Sequence, residues 1–192
     1  MSGKRTLKVS VSGVRGIVGE SLTMPLVSAF ASAFGNYMGG GRIVVGRDPR
    51  PTGQMVECAV VAGLHAVGCK PLLAGIIPTP TLLILVPDHY AVGGVVVTAS
   101  HNPIEWNALK FVGNSGLFLD DIQARELLDM YNQEAFTYSA EQDYRKIRTI
   151  DTPFECHKKR IIDRIDVDAI RACRFRVALD CGNGAGSLFA PD

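Results

Sequence analysis

The sequence lacks several features that would assign it to a class directly. Its apolar runs fall short of the ~20 residues that a membrane helix requires, and no apolar segment of signal-peptide length follows the basic N-terminus. The formal net charge of +1 provides no basic excess for a nucleic-acid-binding surface. These absences favour a cytoplasmic protein that binds neither membranes nor nucleic acid.

Motifs for metal binding, disulfides and nucleotide loops are also missing. The five cysteines are odd in number and show neither a Cys-x-x-Cys nor a Cys/His ligand spacing, so a zinc site or a disulfide framework is disfavoured. The triple glycine Gly39-Gly40-Gly41 is not followed by the Lys-Ser/Thr of a phosphate-binding loop. No Gly-x-Ser-x-Gly elbow surrounds Ser100, which argues against a serine hydrolase.

What is present is an alternation of strand and helix patterns. The 192 residues are 47% hydrophobic and 20% charged, enough to bury the core of one domain or slightly more. Apolar strand patterns at 42–46, 71–74 and 95–97 are separated by helical patterns at 52–67 and 78–86, and a further helix is predicted at 25–38. This order predicts a three-layer α/β/α sandwich with a mostly parallel mixed sheet.

Local signals predict several further features. Residues 7–11 have the alternation of a short strand, and residues 12–16 are predicted to form a glycine turn. Thr52 is expected to cap its helix, residues 108–113 and 116–119 to form a hairpin, and Asp120 with Asp121 to begin a helix through Tyr131. The paired carboxylates are therefore interpreted as helix capping rather than acid/base groups.

The apolar periodicity fails between residues 132 and 149, where charge increases, so we predict a domain at 1–149 and the start of a second α/β domain at 150–192. Residues 175–179 are predicted to form the first strand of that domain, followed by the turn Asp180 to Gly186. Since a lone strand cannot bury its apolar face, the chain is expected to be part of a longer protein.

The stretch from Val95 to Lys110 is the strongest candidate for chemistry. An apolar strand pattern ends at the small polar cluster Thr98 to Asn102, which places a hydroxyl at the carboxyl end of a strand, where α/β proteins bind ligands. Pro103 is expected to begin a helical turn whose free N–H groups favour an anion near Ser100. The alternative is a polar turn between two strands without chemistry. The candidate set is Ser100, His101, Asn102, Asn107 and Lys110.

Two arginine-containing loops are further candidates. Arg15 lies between glycines that would let the backbone approach a ligand, so its planar fork could bind phosphate, or it could be a solvated arginine in a plain turn. In the second loop, Arg47 and Arg50 flank Asp48. These arginines could bind anions or could form ion pairs that fix the loop.

Four motifs, in this order, resemble those of the α-D-phosphohexomutases, the family of phosphoglucomutase, phosphomannomutase and phosphoglucosamine mutase. They are the loop with Arg15, Gly46-Arg47-Asp48-Pro49-Arg50-Pro51-Thr52-Gly53, Thr98-Ala-Ser-His-Asn-Pro103 with Asn107 and Lys110, and Asp180-Cys-Gly-Asn-Gly-Ala-Gly186. The resemblance covers nearly the whole chain. It implies the first domain and the opening of the second in a four-domain enzyme that encloses a central cleft.

The resemblance also implies a mechanism. Ser100 would carry a phosphoryl group that moves between C1 and C6 of a hexose phosphate through a bisphosphate sugar, with glucosamine or mannose phosphate as the expected substrate. Ser100, Lys110, Arg15 and His101 would be catalytic, and Asn102 would join them in binding phosphate. Residues Gly46, Arg47, Asp48, Arg50 and Asn107 would organise the loops.

The implied cofactor is Mg²⁺, held by the phosphate on Ser100 together with aspartates beyond Asp192, so the isolated chain is expected to be inactive. The implied partners are hexose phosphate, hexose bisphosphate and the remaining domains of the same chain. The alternative is a phosphosugar-binding or interaction module without turnover. The sequence makes no prediction of oligomeric state.

Overall fold

The computed structural model describes residues 6–11, 13–140 and 146–191. Strands and helices alternate along most of this part of the chain. Their bounds are β1 Lys8–Ser10, β2 Gly13–Ile17, α1 Met24–Tyr37, β3 Arg42–Arg47, α2 Gly53–Ala66, β4 Lys70–Ile76, α3 Thr79–Asp88, β5 Gly93–Val97, β6 Trp106–Gly113, α4 Asp121–Asn132, β7 Arg148–Thr149, α5 Glu155–Ile162 and α6 Val167–Ala172. A short 3-10 helix follows at Ala185–Leu188.

The described strands form one mixed sheet in the order β1-β2-β6-β5-β3-β4-β7. The pairing is parallel along one half of this sheet, from β5 through β3 and β4 to β7. It is antiparallel along the other half, in the pairs β1–β2, β2–β6 and β6–β5. Because parallel neighbours require a crossover, α2 connects β3 to β4 and α3 connects β4 to β5.

Side chains alternate between the two faces of the sheet. Val95 and Val97 of β5 are fully buried against α1 and α2, whereas Val96 faces the opposite layer with α3. A strand buried on both faces needs apolar residues at every position, which explains the uninterrupted valine run. The predicted α/β/α sandwich is therefore confirmed.

The segment around Arg15 differs from the prediction of a glycine turn. Residues 13–17 form strand β2, which pairs with β1 and with the distant β6, while Ser12 lies outside the described residues. Gly13 has a φ of 111°, and a Cβ there would collide with the carbonyl oxygen of Leu109. The sequence predicted a turn because glycine has a low strand propensity. In the structure, the long-range pairing of β2 with β6 outweighs that local preference.

Two other local predictions need correction. The predicted hairpin after β6 is reduced to a tight turn with one bridge between Val112 and Phe118. Thr52 occupies the N-cap position of α2, but its side chain makes no capping bond, because its backbone is helical (φ −79°, ψ −9°) instead of extended as in a capping residue. Its Oγ1 accepts a hydrogen bond from Asn107 instead. Asp120, in contrast, forms the predicted cap, accepting from the N–H groups of Ile122 and Gln123 in a capping box.

The region after residue 132 also departs from prediction. Residues 148–149 lie within the predicted linker yet form β7 on the main sheet, and Phe154 packs against its α3 face. Residues 175–179 form no strand: Phe175, Val177 and Leu179 are exposed, because no strand in the described residues lies beside them to pair with. The domain boundary near residue 149 stays a prediction.

Candidate active site

The Ser100 loop (residues 98–105) leaves the carboxyl end of β5 and returns as β6. It lies beside the loop that follows β3, because β3 and β5 pair in parallel with Arg47 opposite Val97, and the Asp48 N–H donates to the Val97 carbonyl at 3.0 Å. The two polar loops of the sequence therefore meet at one edge of the sheet. That edge is where α/β folds place ligands.

Ser100 has a φ of 54°, a left-handed conformation that non-glycine residues rarely adopt. Its N–H donates to Thr98 Oγ1 at 3.2 Å, and its own Oγ is exposed. The nearest partner of that Oγ is His101 Nδ1 at 3.5 Å, too long for an effective proton-transfer pair in this state. The hydroxyl is thus presented at the surface of the loop.

Arg15 and Lys110 lie on the same face of the sheet as neighbours of the serine. Arg15 of β2 pairs with Ala108 of β6, so Lys110 is its diagonal neighbour two residues further along. Together with Ser100, His101 and Asn102, these two residues line a cleft of about 150 Å³. In the part of the chain that the structure describes, no carboxylate forms an ion pair with either cation.

The Lys110 ammonium lies near an aromatic ring: its Nζ is 5.7 Å from the centre of the Phe118 ring. At that distance a cation–π contact is weak in the presence of water. The cleft therefore holds two positive charges that lack a carboxylate counter-ion among the described residues. This arrangement favours an anion next to Ser100.

Arg50 lies behind the Ser100 loop rather than in the cleft. Its Nη1 donates to the carbonyls of Pro103 and Trp106, at 2.6 and 3.1 Å. Its Nη2 donates to the carbonyls of Ser100 and Asn102, at 2.8 and 2.7 Å. With every guanidinium proton engaged by protein, including Nε–H to Asp48, the side chain has no donor left for a ligand.

Asp48 connects this arginine to the serine. Its Oδ2 accepts hydrogen bonds from Arg50 Nε at 3.1 Å and from Thr98 Oγ1 at 2.7 Å. Thr98 Oγ1 in turn accepts from the Ser100 N–H. The sequence interpretation missed this role of Thr98, although a hydroxyl directly after a buried strand and two residues before the candidate nucleophile was a usable signal.

Arg47 and Gly46 make contacts on opposite sides of β3, Arg47 with α2 and Gly46 with the α3 layer. Arg47 Nε pairs with Glu57 Oε2 at 3.2 Å. Burial raises the pKa of Glu57, and the Arg47 charge opposes that shift. A Cβ on Gly46 would lie 2.7 Å from Ile77 Cδ1, so a larger residue does not fit there. These are packing and ion-pair contacts around β3, and none of the residues involved lines the cleft.

The two asparagines of the motif bond to neighbouring protein groups, and Asn102 also lines the cleft. Asn102 Nδ2 donates to the Ala99 carbonyl at 2.8 Å, which closes the turn at the serine. Asn107 is fully buried and bonds to Thr52 Oγ1 and to the Ala108 N–H. Pro103 begins a reverse turn closed by the Trp106 N–H, not the predicted helical turn, because β6 starts at that residue. The predicted helix N-terminus at Pro103 is therefore not formed.

The described residues provide no complete metal centre. Within them, no three His, Cys, Asp or Glu side chains cluster closely enough to hold an ion. Asp48, the carboxylate tied to the Ser100 loop, has both oxygens occupied by hydrogen bonds. In the same part of the chain, none of the helices has the length and apolar character needed to cross a bilayer.

Comparison with known proteins gives consistent matches. The family model described as phosphoglucomutase/phosphomannomutase, alpha/beta/alpha domain I, matches residues 6–138. A relative from Methanopyrus kandleri, named "Probable phosphoglucosamine mutase", is 36% identical over 180 residues, which are 94% of this chain and 39% of that protein. The phosphoglucosamine mutase of Clostridioides difficile is 34% identical over 187 residues, which are 93% of this chain and 41% of that protein.

The fold is also similar to a solved structure. A crystal structure of a phosphoglucomutase/phosphomannomutase family protein from Burkholderia thailandensis superposes with a TM-score of 0.69 at 24% identity, covering 83% of this chain and 37% of that one. At this identity the likeness supports the fold alone. The chain spans between 39% and 41% of the length of the two curated relatives above.

Proposed function

Because the chain belongs to the phosphoglucomutase/phosphomannomutase family, we propose that the complete protein is a phosphohexomutase that uses Ser100 as its phosphoryl carrier. The phosphorylated serine transfers its group to a hexose phosphate, breaking the Ser100 Oγ–P bond and forming a sugar O–P bond. The resulting bisphosphate sugar reorients and returns its other phosphoryl group to Ser100. The net reaction moves phosphate between C1 and C6.

One observation carries the proposal: the exposed Ser100 hydroxyl shares a small cleft with Arg15 and Lys110. Phosphoryl transfer depends mainly on positioning and on neutralising charge over the phosphoryl oxygens. Two cations beside a hydroxyl match that requirement, and each donor placed on the developing charge contributes roughly 2–4 kcal/mol to transition-state stabilisation. We assign Ser100 as nucleophile and phosphoryl donor, and Arg15 and Lys110 as charge-stabilising groups.

His101 and Asn102 have supporting roles in this proposal. His101 lies 3.5 Å from Ser100 Oγ and is exposed, so we assign it to orienting the phosphoryl group rather than to general-base catalysis. The Asn102 side-chain nitrogen donates to the Ala99 carbonyl and so fixes the shape of the turn. The Asn102 side-chain oxygen is the atom of this residue that we assign to the phosphoryl group. Both residues therefore act on the geometry of the phosphoserine.

The substrate and metal assignments depend on family membership. Two curated relatives that are named phosphoglucosamine mutases favour glucosamine phosphate, and mannose phosphate is the second candidate. The described residues do not fit a Mg²⁺ site by themselves, since they provide no cluster of ligands beyond the phosphate that Ser100 would carry.

The first test maps phosphate on the full-length protein by mass spectrometry, before and after exposure to glucosamine, mannose or glucose phosphate. We expect phosphate on Ser100 and its discharge by one of these sugars, which would also rank the substrates. A Ser100 that cannot be charged even by a bisphosphate sugar would overturn the proposal and favour the non-catalytic phosphosugar-binding module.

Replacing the nucleophile gives a second test. Ser100→Ala removes the only atom to which phosphate is proposed to bind, so turnover should fall to background while the fold persists. The matched control is Ser115→Ala, which alters an exposed serine in the turn after β6 and should leave activity at the wild-type level. Mutase activity near the wild-type value in Ser100→Ala would contradict the mechanism.

A further inference from the structure

Arg50 makes an unusually complete set of contacts with the Ser100 loop. Four of its five guanidinium protons go to backbone carbonyls spread over Ser100 to Trp106, and the fifth goes to Asp48. The side chain is only 12% exposed. Since loop carbonyls are normally satisfied by other backbone groups or water, one buried arginine here takes the place of regular secondary structure.

The contacts restrain Ser100 from both sides. Its carbonyl accepts from Arg50 Nη2, and its N–H donates to Thr98 Oγ1. Asp48 Oδ2 joins the two restraints, because it accepts from Arg50 Nε and from Thr98 Oγ1. The left-handed Ser100 is therefore held by a hydrogen bond at its carbonyl and another at its N–H, and the partners in both bonds, Arg50 and Thr98, are bound to the Asp48 carboxylate. A strained conformation persists only when its surroundings impose it in this way.

We infer that Arg50 is the positioning residue of the nucleophile: with Asp48 and Thr98 it holds Ser100 in the left-handed conformation that places Oγ in the cleft beside Arg15 and Lys110. The inference rests on the proposed function and adds to it. Arg50 touches neither sugar nor phosphoryl group, as all its guanidinium protons are engaged by protein. It acts on the reaction only through the geometry of Ser100.

Lysine cannot replace this arginine. Its ammonium has three protons at one point, whereas the carbonyls of Ser100, Asn102, Pro103 and Trp106 surround a planar fork. Arg50→Lys would retain the charge next to Asp48 but lose most of the carbonyl contacts. This substitution therefore separates the geometry of the fork from its charge.

The experiment uses the full-length protein and two readouts. In Arg50→Lys we expect kcat to fall about 100-fold with KM within about threefold of wild type, since a displaced nucleophile slows transfer while the cations that bind phosphate are unchanged. Added guanidinium ion should restore part of the kcat of Arg50→Ala. A general loss of stability would lower the amount of folded enzyme but would give no such rescue.

The second readout is amide hydrogen exchange in the peptide covering residues 99–106, which requires no activity. Arg50→Lys should speed exchange there by about tenfold or more, with the β5 amides unchanged. Arg47→Lys is the matched control for this readout, because Arg47 is also a largely buried arginine next to Asp48 and its bonds go to Glu57 and to the Asp48 carbonyl. Exchange in 99–106 should stay at the wild-type rate in that variant.

The outcomes distinguish the two proposals. Unchanged exchange in 99–106 of Arg50→Lys overturns the inference, and so does a wild-type kcat in that variant. A wild-type protein that never takes phosphate on Ser100 counts against the proposed function instead, while the exchange measurement still tests whether Arg50 holds the loop.

Discussion

At the scale of single residues, the chemistry of the site depends on one unfavourable backbone conformation. A left-handed φ costs a residue with a Cβ roughly 1–2 kcal/mol, and Ser100 adopts it at 54°. The cost is offset by hydrogen bonds at both of its peptide groups, from Arg50 and to Thr98. The serine is thus held where its hydroxyl faces the cleft, at a small expense in stability.

A prediction at this scale concerns the buried thiol of Cys69. Its side chain is 2% exposed, and burial raises its pKa from 9.0 to about 11. As pH rises above 9 the unfolded chain loses this proton before the folded chain does, so the stabilisation is complete below pH 9 and disappears as pH approaches 11. We expect the free energy of unfolding to fall more steeply across this window in wild type than in Cys69→Ala.

Urea unfolding of this chain at intervals between pH 8 and 11 measures that difference. The cavity left by Cys69→Ala lowers stability by a similar amount at every pH, so the slopes of the two curves are compared rather than their heights. Parallel curves for wild type and variant would show that the thiol does not contribute to the pH dependence.

At the scale of secondary structure, α4 depends on its cap. Asp120 Oδ1 accepts from the N–H groups of Ile122 and Gln123, both at 2.9 Å, and the Gln123 side chain accepts from the Asp120 N–H. Asp120→Ala should lower the free energy of unfolding by about 1 kcal/mol, because these N–H groups lose their partners.

The neighbouring acid provides the control for that prediction. Asp121 lies in the first turn of α4, where a negative charge interacts only with the helix dipole, so Asp121→Ala should cost a few tenths of a kcal/mol. Denaturant titrations of both variants measure the difference. Equal losses would mean that charge near the helix start, not the specific capping bonds, stabilises α4.

At the scale of the whole molecule, residues 175–179 are an apolar segment that packs against no strand among the described residues. Phe175, Val177 and Leu179 are 70%, 82% and 62% exposed, and the segment pairs with no described strand. We propose that it becomes the first strand of a second domain where further residues provide a neighbour. Its amides should exchange rapidly in the 192-residue chain and become protected in the full-length protein.

Hydrogen exchange followed by mass spectrometry measures this change on both proteins. The buried strand β5 is the internal control, because its five residues are buried and paired on both sides in the chain as it stands. It should be protected equally in both proteins. Equally rapid exchange of residues 175–179 in the two proteins would contradict the predicted second domain.

The sequence by itself determined the layered fold and the location of the candidate nucleophile. The run Val95 to Val97 indicates a strand that is buried on both faces, and the small polar residues after it indicate where that strand ends. Both features can be predicted because they depend on residues that are adjacent in the sequence. Helix starts such as Asp120 were readable for the same reason, because a cap bonds to N–H groups two and three residues away.

Only the tertiary structure decided what surrounds Ser100. The bonds from Arg50 to the Ser100 loop and to Trp106 join residues 50 to 56 positions apart, and Arg15 became a strand residue through pairing with β6, more than 90 positions away. Residues 175–179, strand-like in pattern, formed no strand because none of the described strands lies beside them. Local patterns record which residues are buried, whereas hydrogen-bond partners across the chain depend on which elements pack together.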